Sequence, residues 1–90
     1  MSRLSFRVSG RVQGVGFRWF TQKAAAQQGV AGWGRNESDG SVCGEVQGDE
    51  AAVERFLAAL RIGPKLGRVE DLHTERLDPL AAVRTDFEIR

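Results

Sequence analysis

The sequence predicts an α+β fold in which an antiparallel sheet carries two helices on one face. Residues near the amino terminus alternate between polar and apolar, which is the period of a half-buried strand. Two later segments place apolar residues three and four positions apart, as amphipathic helices do. Between these two segments, an Asp-Gly pair separates two short strand-like runs, which is typical of a β-hairpin.

The first strand and the first helix flank a glycine-rich segment. We expect the strand to run to about Ser9, and its inward residues are Leu4, Phe6 and Val8. The helix is expected over 17–28, because good helix formers fill this segment and Gly29 ends it. The predicted inward positions of the helix are Phe17, Phe20 or Thr21, Ala24, and Gln28 or Ala25.

A hairpin and a second helix follow. Strands are predicted over 30–36 and 41–47, and they are antiparallel because the turn over 37–40 contains Asp-Gly. The second helix begins after Asp49, a good N-cap, and ends at the glycine and proline of 63–64. Its apolar stripe is Val53, Phe56, Leu57 and Leu60.

Two more strands complete the pattern. The segment 69–77 has imperfect alternation, and 87–89 makes a short last strand after the Asp78-Pro79 break. The order β-α-β-β-α-β plus a terminal strand, with short loops and no repeat, is that of the split βαβ or ferredoxin-like fold. We expect residues 1–90 to form a single domain.

The topology of this fold brings two distant segments together. The first two strands are parallel, with another strand between them, so their carboxyl ends lie at one edge of the sheet. At about 4.8 Å per strand step, these ends are roughly 10 Å apart. Arg18 follows the end of the first strand and Asn36 closes the second, so both can reach one small ligand.

Composition excludes several classes of protein. The net charge of +1 is too balanced for a broad nucleic-acid footprint, and the single cysteine cannot form an intramolecular disulfide. The amino terminus alternates instead of offering the continuous apolar run of a signal peptide, and no segment reaches membrane-spanning length. We expect a monomeric, cytoplasmic protein that binds neither nucleic acid nor membranes.

The segment GRVQGVGFR, residues 10–18, is here called the glycine-rich loop. A loop with little side-chain bulk that leads into a helix amino terminus can turn several N–H groups toward one anion. Arg18 adds a permanent charge and a planar fork that suits two phosphate oxygens. The pattern is neither a P-loop nor a dinucleotide fingerprint, and by itself it also fits an ordinary tight turn.

A second segment, GWGRNESDGSVCGEVQG at 32–48, places Asn36 at the same sheet edge. Together the two segments resemble acylphosphatase, and the resemblance covers nearly all of the chain. It implies hydrolysis of an acyl phosphate to a carboxylate and inorganic phosphate by direct attack of water, without metal, cofactor or covalent intermediate. It also implies that Arg18 clamps the phosphate and Asn36 holds the water. The residues that offer backbone amides to the phosphate would be Gln13, Gly14, Val15, Gly16 and Phe17.

Few catalytic groups are needed for this reaction. A mixed carboxylic-phosphoric anhydride has a good leaving group, so positioning and charge stabilisation can supply most of the acceleration. An amide orients water without titrating. The motifs specify the phosphate end of the substrate and do not distinguish acetyl, carbamoyl, glyceroyl or aminoacyl groups.

Two residues depart from the family pattern. Gly34 stands where a small apolar residue is usual, and glycine weakens a strand interior. Glu37 follows Asn36, and its charge would repel a dianionic substrate if it faced the site. At the start of a turn, we expect Glu37 to face solvent instead.

Three other reactive side chains are assigned no chemistry. Arg35 alternates to the face opposite Asn36, which predicts a solvated charge. Cys43 is expected to be a bystander on the open sheet face, without a histidine or cationic neighbour. His73 has no cysteine or histidine at ligand spacing, so we expect no metal site.

Two other functions fit the same fold. RRM domains share it and bind RNA through aromatics on the open sheet face, but the third strand offers Ser41, Cys43 and Glu45 there. A non-catalytic domain that binds phosphate or carbamoyl phosphate is the other alternative, because acylphosphatase-like domains occur within larger maturation proteins. The shortness of the chain argues against this alternative.

Overall fold

The computed structural model describes residues 1–80 and 86–90. In this part of the chain the elements follow the predicted order, and their ends lie within two residues of the predicted ones. The elements are β1 Ser2–Arg11, α1 Phe17–Gln28, β2 Ala31–Asn36, β3 Val42–Gly48, α2 Glu50–Ile62, β4 Arg68–Leu77 and β5 Phe87–Ile89. β1 continues past Ser9 because Gly10 and Arg11 pair with β4 beyond a bulge.

The sheet order is β4-β1-β3-β2-β5. β3 lies between β1 and β2 and is antiparallel to both, so the predicted parallel relation of β1 and β2 is confirmed. The register shows how near their carboxyl ends are, because Val8 and Asn36 both face Val42 from opposite sides. β5 pairs parallel with β2, which makes the complete sheet mixed rather than purely antiparallel.

Both helices contribute to one apolar core on a single face of the sheet. Phe6 of β1 meets Phe56 of α2 edge-on, with ring centroids 5.8 Å apart, and Phe87 of β5 lies 5.7 Å from Phe56. The predicted stripe of α2 is buried in full. In α1 the buried residues are Phe17, Thr21, Ala24 and Ala25, which decides the two positions that the sequence left open.

The start of α2 is as predicted, but its local chemistry differs. Asp49 occupies the N-cap position, yet its side chain makes no capping hydrogen bond. Only its backbone carbonyl takes part, accepting a hydrogen bond from the Val53 N–H at 2.9 Å. Within residues 1–80 and 86–90, neither helix is long and apolar enough to cross a membrane.

Two glycines face each other in the middle of the β2–β3 pair. Gly34 is buried under the ring of Phe87, and a Cβ added at 34 would meet that ring at 3.5 Å, an ordinary contact. A Cβ added at Gly44 would lie 2.0 Å from the Trp33 carbonyl oxygen. The backbone at both positions lies outside the left-handed region. Gly44 is therefore required by close packing, whereas Gly34 is not.

We expect opposite effects from alanine at these two positions. Gly34→Ala should raise the free energy of unfolding by about 0.4–1 kcal/mol, because it restricts the unfolded chain without a clash. Gly44→Ala should lower it by about 1–3 kcal/mol, because a methyl group there overpacks the strand pair. Urea unfolding of both variants beside the wild type measures the difference. A loss of stability in Gly34→Ala as large as that in Gly44→Ala would contradict this account.

Candidate active site

The glycine-rich loop leaves β1 and enters α1 through two left-handed residues. Gly14 has φ 74° and Gly16 has φ 78°. Nothing lies within 4 Å of a Cβ built at either position, so crowding does not require glycine there. The backbone conformation does, because an L side chain in this region is strained.

The glycine-rich loop contains five successive backbone donors that have no backbone partner in the described part of the chain. Within the described chain, the N–H groups of residues 13–17 donate no hydrogen bond to another backbone group. The first bond of α1 runs from the Phe20 N–H to the Gly16 carbonyl at 2.9 Å. These donors lie at the positive end of the α1 dipole, where a negative group is stabilised.

Arg18 adds positive charge to this positive end. It is the second residue of α1, its side chain is exposed, and the first turn of α1 contains no acidic residue. No ion pair or hydrogen bond of the Arg18 side chain is found in the described part of the structure. A cation at a helix amino terminus is unfavourable in itself, so the local field favours an anion between Arg18 and the loop N–H groups.

Asn36 is the last residue of β2 and is also exposed. Its side chain makes no hydrogen bond to another described residue. It is followed by residues 37–41, here called the β2–β3 turn. The turn is closed by the Glu37 N–H, which donates to the Ser41 carbonyl at 2.8 Å, and by the Ser41 N–H, which donates to Asp39 Oδ1 at 3.0 Å.

The side chain of Gln13 connects the glycine-rich loop to the β2–β3 turn. Its Nε2 donates to the Glu37 carbonyl at 2.7 Å and to the Ser41 carbonyl at 2.9 Å. The resemblance to acylphosphatase implies a backbone role for Gln13 and does not predict this side-chain contact. This contact could have been inferred from the predicted proximity of the two strand ends. That proximity places the amide of Gln13 beside the turn after Asn36, where backbone carbonyl groups can accept its hydrogen bonds.

A second tie to the turn comes from the open sheet face. Arg7 of β1 donates to Asp39 Oδ2 at 2.8 Å and to Ser41 Oγ at 3.2 Å. Hydrogen bonds from the Ser41 hydroxyl and N–H, with the charge of Arg7, lower the pKa of the Asp39 carboxyl. The turn that follows Asn36 is thus held by its own backbone, by Gln13 and by Arg7.

Glu37 turns to the open face of the sheet, but its carboxylate is paired with other side chains rather than freely solvated. Its carboxylate accepts hydrogen bonds from Arg35 Nε at 2.8 Å and from the Cys43 thiol at 2.6 Å, and its side chain is 25% exposed. Alternation along β2 and β3 puts Arg35 and Cys43 opposite each other on the open face. Donation by Cys43, and then by Arg35, lowers the pKa of the Glu37 carboxyl.

Cys43 has cationic neighbours, so the prediction that it has none is wrong. In the strand register Arg7 and Arg35 both lie opposite it. Burial, followed by the hydrogen bond to Glu37, nevertheless raises the pKa of the Cys43 thiol. Cys43 is therefore a protonated donor to Glu37 rather than a nucleophile, since the thiolate is the reactive form.

His73 lies on the exposed edge strand β4, with its Nε2 3.3 Å from Glu75 Oε1. Among the described residues, no group of three or more histidine, cysteine, aspartate or glutamate side chains could hold a metal ion.

A cavity of about 120 Å³ is found at the other end of the sheet, where Arg3, Trp33 and Gln47 contribute to its lining. It is separate from the glycine-rich loop and Asn36.

We expect the stability of the protein to fall at acid pH, in part because the ion pair between Glu37 and Arg35 is lost there. A lowered folded-state pKa contributes stability that is fully present above the ordinary carboxylate pKa of about 4 and is lost as pH falls through the lowered value. The melting temperature of wild type should therefore fall more between about pH 7 and about pH 3 than that of Glu37→Gln. Glu54→Gln, which changes an exposed carboxylate of α2, is the control. Equal falls in wild type and Glu37→Gln would refute the contribution.

Comparisons with known proteins agree on one family. The family model described as Acylphosphatase matches residues 4–89. The acylphosphatase of Oceanobacillus iheyensis is 44% identical over 91 residues, covering 100% of this chain and 99% of that protein. The crystal structure of acylphosphatase from Bacillus subtilis superposes with a TM-score of 0.94 at 36% identity, covering 100% of this chain and 99% of that one.

A part of a larger protein has the same fold. Full-length HypF matches with a TM-score of 0.86 and 28% identity over 99% of this chain, which corresponds to 12% of the HypF chain. The family is established by the family model together with the two acylphosphatases that match over 99% of their own length. The chain belongs to the acylphosphatase family, the hydrolases that act on acyl phosphates.

Proposed function

We propose that this protein hydrolyses small acyl phosphates by direct attack of a water molecule held by Asn36 on a phosphate held by Arg18 and the loop amides. The observation that carries the proposal is that the glycine-rich loop, whose N–H groups have no backbone acceptor in the described chain, lies at the same sheet edge as Asn36. The glycine-rich loop ends in Arg18, and Gln13 of the same loop bonds to the turn that follows Asn36.

The phosphate end of the substrate is bound by charge and by directed donors. The N–H groups of residues 13–17 have no backbone acceptor in the described chain, so binding an anion costs them no internal hydrogen bond. The Arg18 guanidinium can donate two parallel hydrogen bonds to phosphate oxygens. These donors also stabilise the charge that spreads over the phosphoryl oxygens in the transition state.

The attacking water is oriented by the Asn36 amide. Its oxygen can accept a hydrogen bond from the water, which turns a water lone pair toward phosphorus. The new P–O bond forms from the water while the P–O bond to the carboxylate breaks. The carboxylate can leave as an anion without being protonated, because it is a weak base whose conjugate acid has a pKa of about 4. The water proton passes to a phosphate oxygen, so the products are a carboxylate and inorganic phosphate.

The charge of Glu37 is compatible with this reaction. Its carboxylate is engaged by Arg35 and Cys43 on the open face of the sheet. The ion pair offsets the negative charge next to Asn36, so repulsion of a dianionic substrate is reduced.

Phosphate binding without hydrolysis is the second candidate. It is favoured by the similarity to HypF, whose crystal structure is described as a phosphate- and nucleotide-bound form. Asn36 separates the two candidates, because a pure binding site needs the loop and Arg18 but has no use for a residue that orients water.

We further propose that the protein acts as a single-domain monomer in the cytoplasm and does not bind nucleic acid. The net charge of +1 supports the absence of nucleic-acid binding, as does the pairing of charges on the open face. Trp33, the aromatic residue on that face of β2, is covered by Arg35 and Arg90 at 5.2 and 4.8 Å from its ring centroid. A base would have to displace them to stack there.

Hydrolysis of benzoyl phosphate in excess chelator tests the proposal. Arg18→Ala should lower kcat/KM by at least about a hundredfold and abolish inhibition by inorganic phosphate, because it removes the phosphate clamp. Asn36→Ala should lower kcat by about a hundredfold while the inhibition constant of phosphate stays within about threefold. Arg55→Ala is the matched control, because Arg55 contacts Gln28 near the far end of α1.

Three outcomes would change the conclusion. Full activity in Asn36→Ala would remove the water-orienting role. Activity that disappears in chelator would overturn the mechanism by direct attack without a metal. Phosphate binding by a folded wild type with no hydrolysis of any acyl phosphate would favour the second candidate.

A further inference from the structure

We infer that the side chain of Gln13 is a positioning residue that sets Asn36 relative to the bound phosphate. This inference rests on the proposed function. It assigns to the Gln13 amide group a role separate from that of the Gln13 backbone N–H, which belongs to the phosphate-binding loop.

The two hydrogen bonds of Gln13 use both hydrogens of its side-chain NH₂ group. Their lengths, 2.7 Å to the Glu37 carbonyl and 2.9 Å to the Ser41 carbonyl, are those of well-formed hydrogen bonds. Gln13 is half-buried, so these bonds are partly shielded from water. A single side chain therefore spans the gap between the glycine-rich loop and the β2–β3 turn.

The two acceptors are the carbonyl groups of Glu37 and Ser41, residues that pair with each other directly after the Asn36–Val42 pair. Glu37 follows Asn36 along the chain, and Ser41 precedes Val42, the residue that faces Asn36 across the β2–β3 pair. Each carbonyl also accepts a bond within the turn, from Gly40 N–H at 3.2 Å and from Glu37 N–H at 2.8 Å. Because a carbonyl oxygen has two lone pairs, the bonds from Gln13 add to the closure of the turn without competing with it.

No other described side chain makes this link. Arg7 also holds the turn, but it contacts the side chains of Asp39 and Ser41 and belongs to β1 rather than to the glycine-rich loop. Without the side chain of Gln13, the position of the loop relative to Asn36 would depend on the hydrogen bonds between the strands and on Arg7. With Gln13, the same residue that offers its N–H to the phosphate also fixes the turn after Asn36.

The catalytic consequence follows from the geometry of attack. The water must lie about 3–3.5 Å from phosphorus and in line with the leaving group, and a displacement of about 1 Å can cost a hundredfold in rate. Loss of the Gln13 donor lets Asn36 shift relative to the phosphate, while the loop N–H groups and Arg18 remain. The expected effect is thus on kcat rather than on phosphate binding.

The test replaces Gln13 by methionine, which keeps the length of the side chain and removes both donors. Gln13→Met should lower kcat for benzoyl phosphate by about tenfold or more, with the inhibition constant of inorganic phosphate within about threefold. In an Asn36→Ala background the same change should alter kcat by less than about twofold, because the residue being positioned is gone. Gln22→Met is the matched control, since Gln22 Nε2 donates to the Phe87 carbonyl at 3.2 Å, in another part of the fold.

Three kinetic results would overturn the inference. An unchanged kcat in Gln13→Met would show that the link has no catalytic weight. Equal losses with and without Asn36 would show that Gln13 acts independently of it. A large rise in the phosphate inhibition constant at unchanged kcat would mean that the side chain shapes the loop instead of placing Asn36.

Amide hydrogen exchange separates this inference from the proposed function. Gln13→Met should speed exchange of the Glu37 N–H by about tenfold relative to wild type, whereas Gln22→Met should not. Unchanged exchange at Glu37 would refute the link itself. A wild type without turnover but with the exchange effect would refute the proposed function, and the positioning role with it, while leaving the structural link in place.

Discussion

The position of β3 is the constraint on which the rest of the structure depends. Because β3 is antiparallel to both neighbours, the ends of β1 and β2 are brought to the same edge of the sheet, with Val42 between Val8 and Asn36. The glycine-rich loop and Asn36, which are far apart in the chain, thereby become neighbours. The core beneath β3 holds this arrangement, since Val42 and Val46 are completely buried against the helices.

The site itself is built at a cost to folding. Three features of the site do not stabilise the fold when no anion is bound. They are two glycines in the left-handed region, N–H groups without a backbone partner, and an arginine at the positive end of a helix. The aromatic contacts among Phe6, Phe56 and Phe87 supply compensating stability at a distance from the site. Binding an anion would satisfy the donors and the charge together, so ligand and fold should stabilise each other.

Periodicity and turn chemistry were sufficient to predict the elements, and topology then placed Arg18 and Asn36 at one edge. The sequence does not reveal the register of the strands or the groups that each side chain contacts. The cross-strand neighbours of Cys43, the turn of Glu37 toward Arg35 and the bonds of Gln13 all depend on which residues face each other across strands. Gly34 and Gly44 look alike in the sequence, and only the packing around each distinguishes them.

The parallel pairing of β5 affects how molecules of this protein meet one another. β2 would otherwise be the outermost strand, and its sequence AGWGRN, with two glycines, has few side chains to discourage another strand from adding to it. β5 covers its middle through three paired positions, and the Arg90 N–H extends the cover by donating to the Gly34 carbonyl at 2.8 Å. At the opposite border, β4 exposes charged residues such as Glu70, Asp71 and Arg76. Both borders of the sheet are therefore protected against aggregation through edge-to-edge pairing, one by a short added strand and the other by charge.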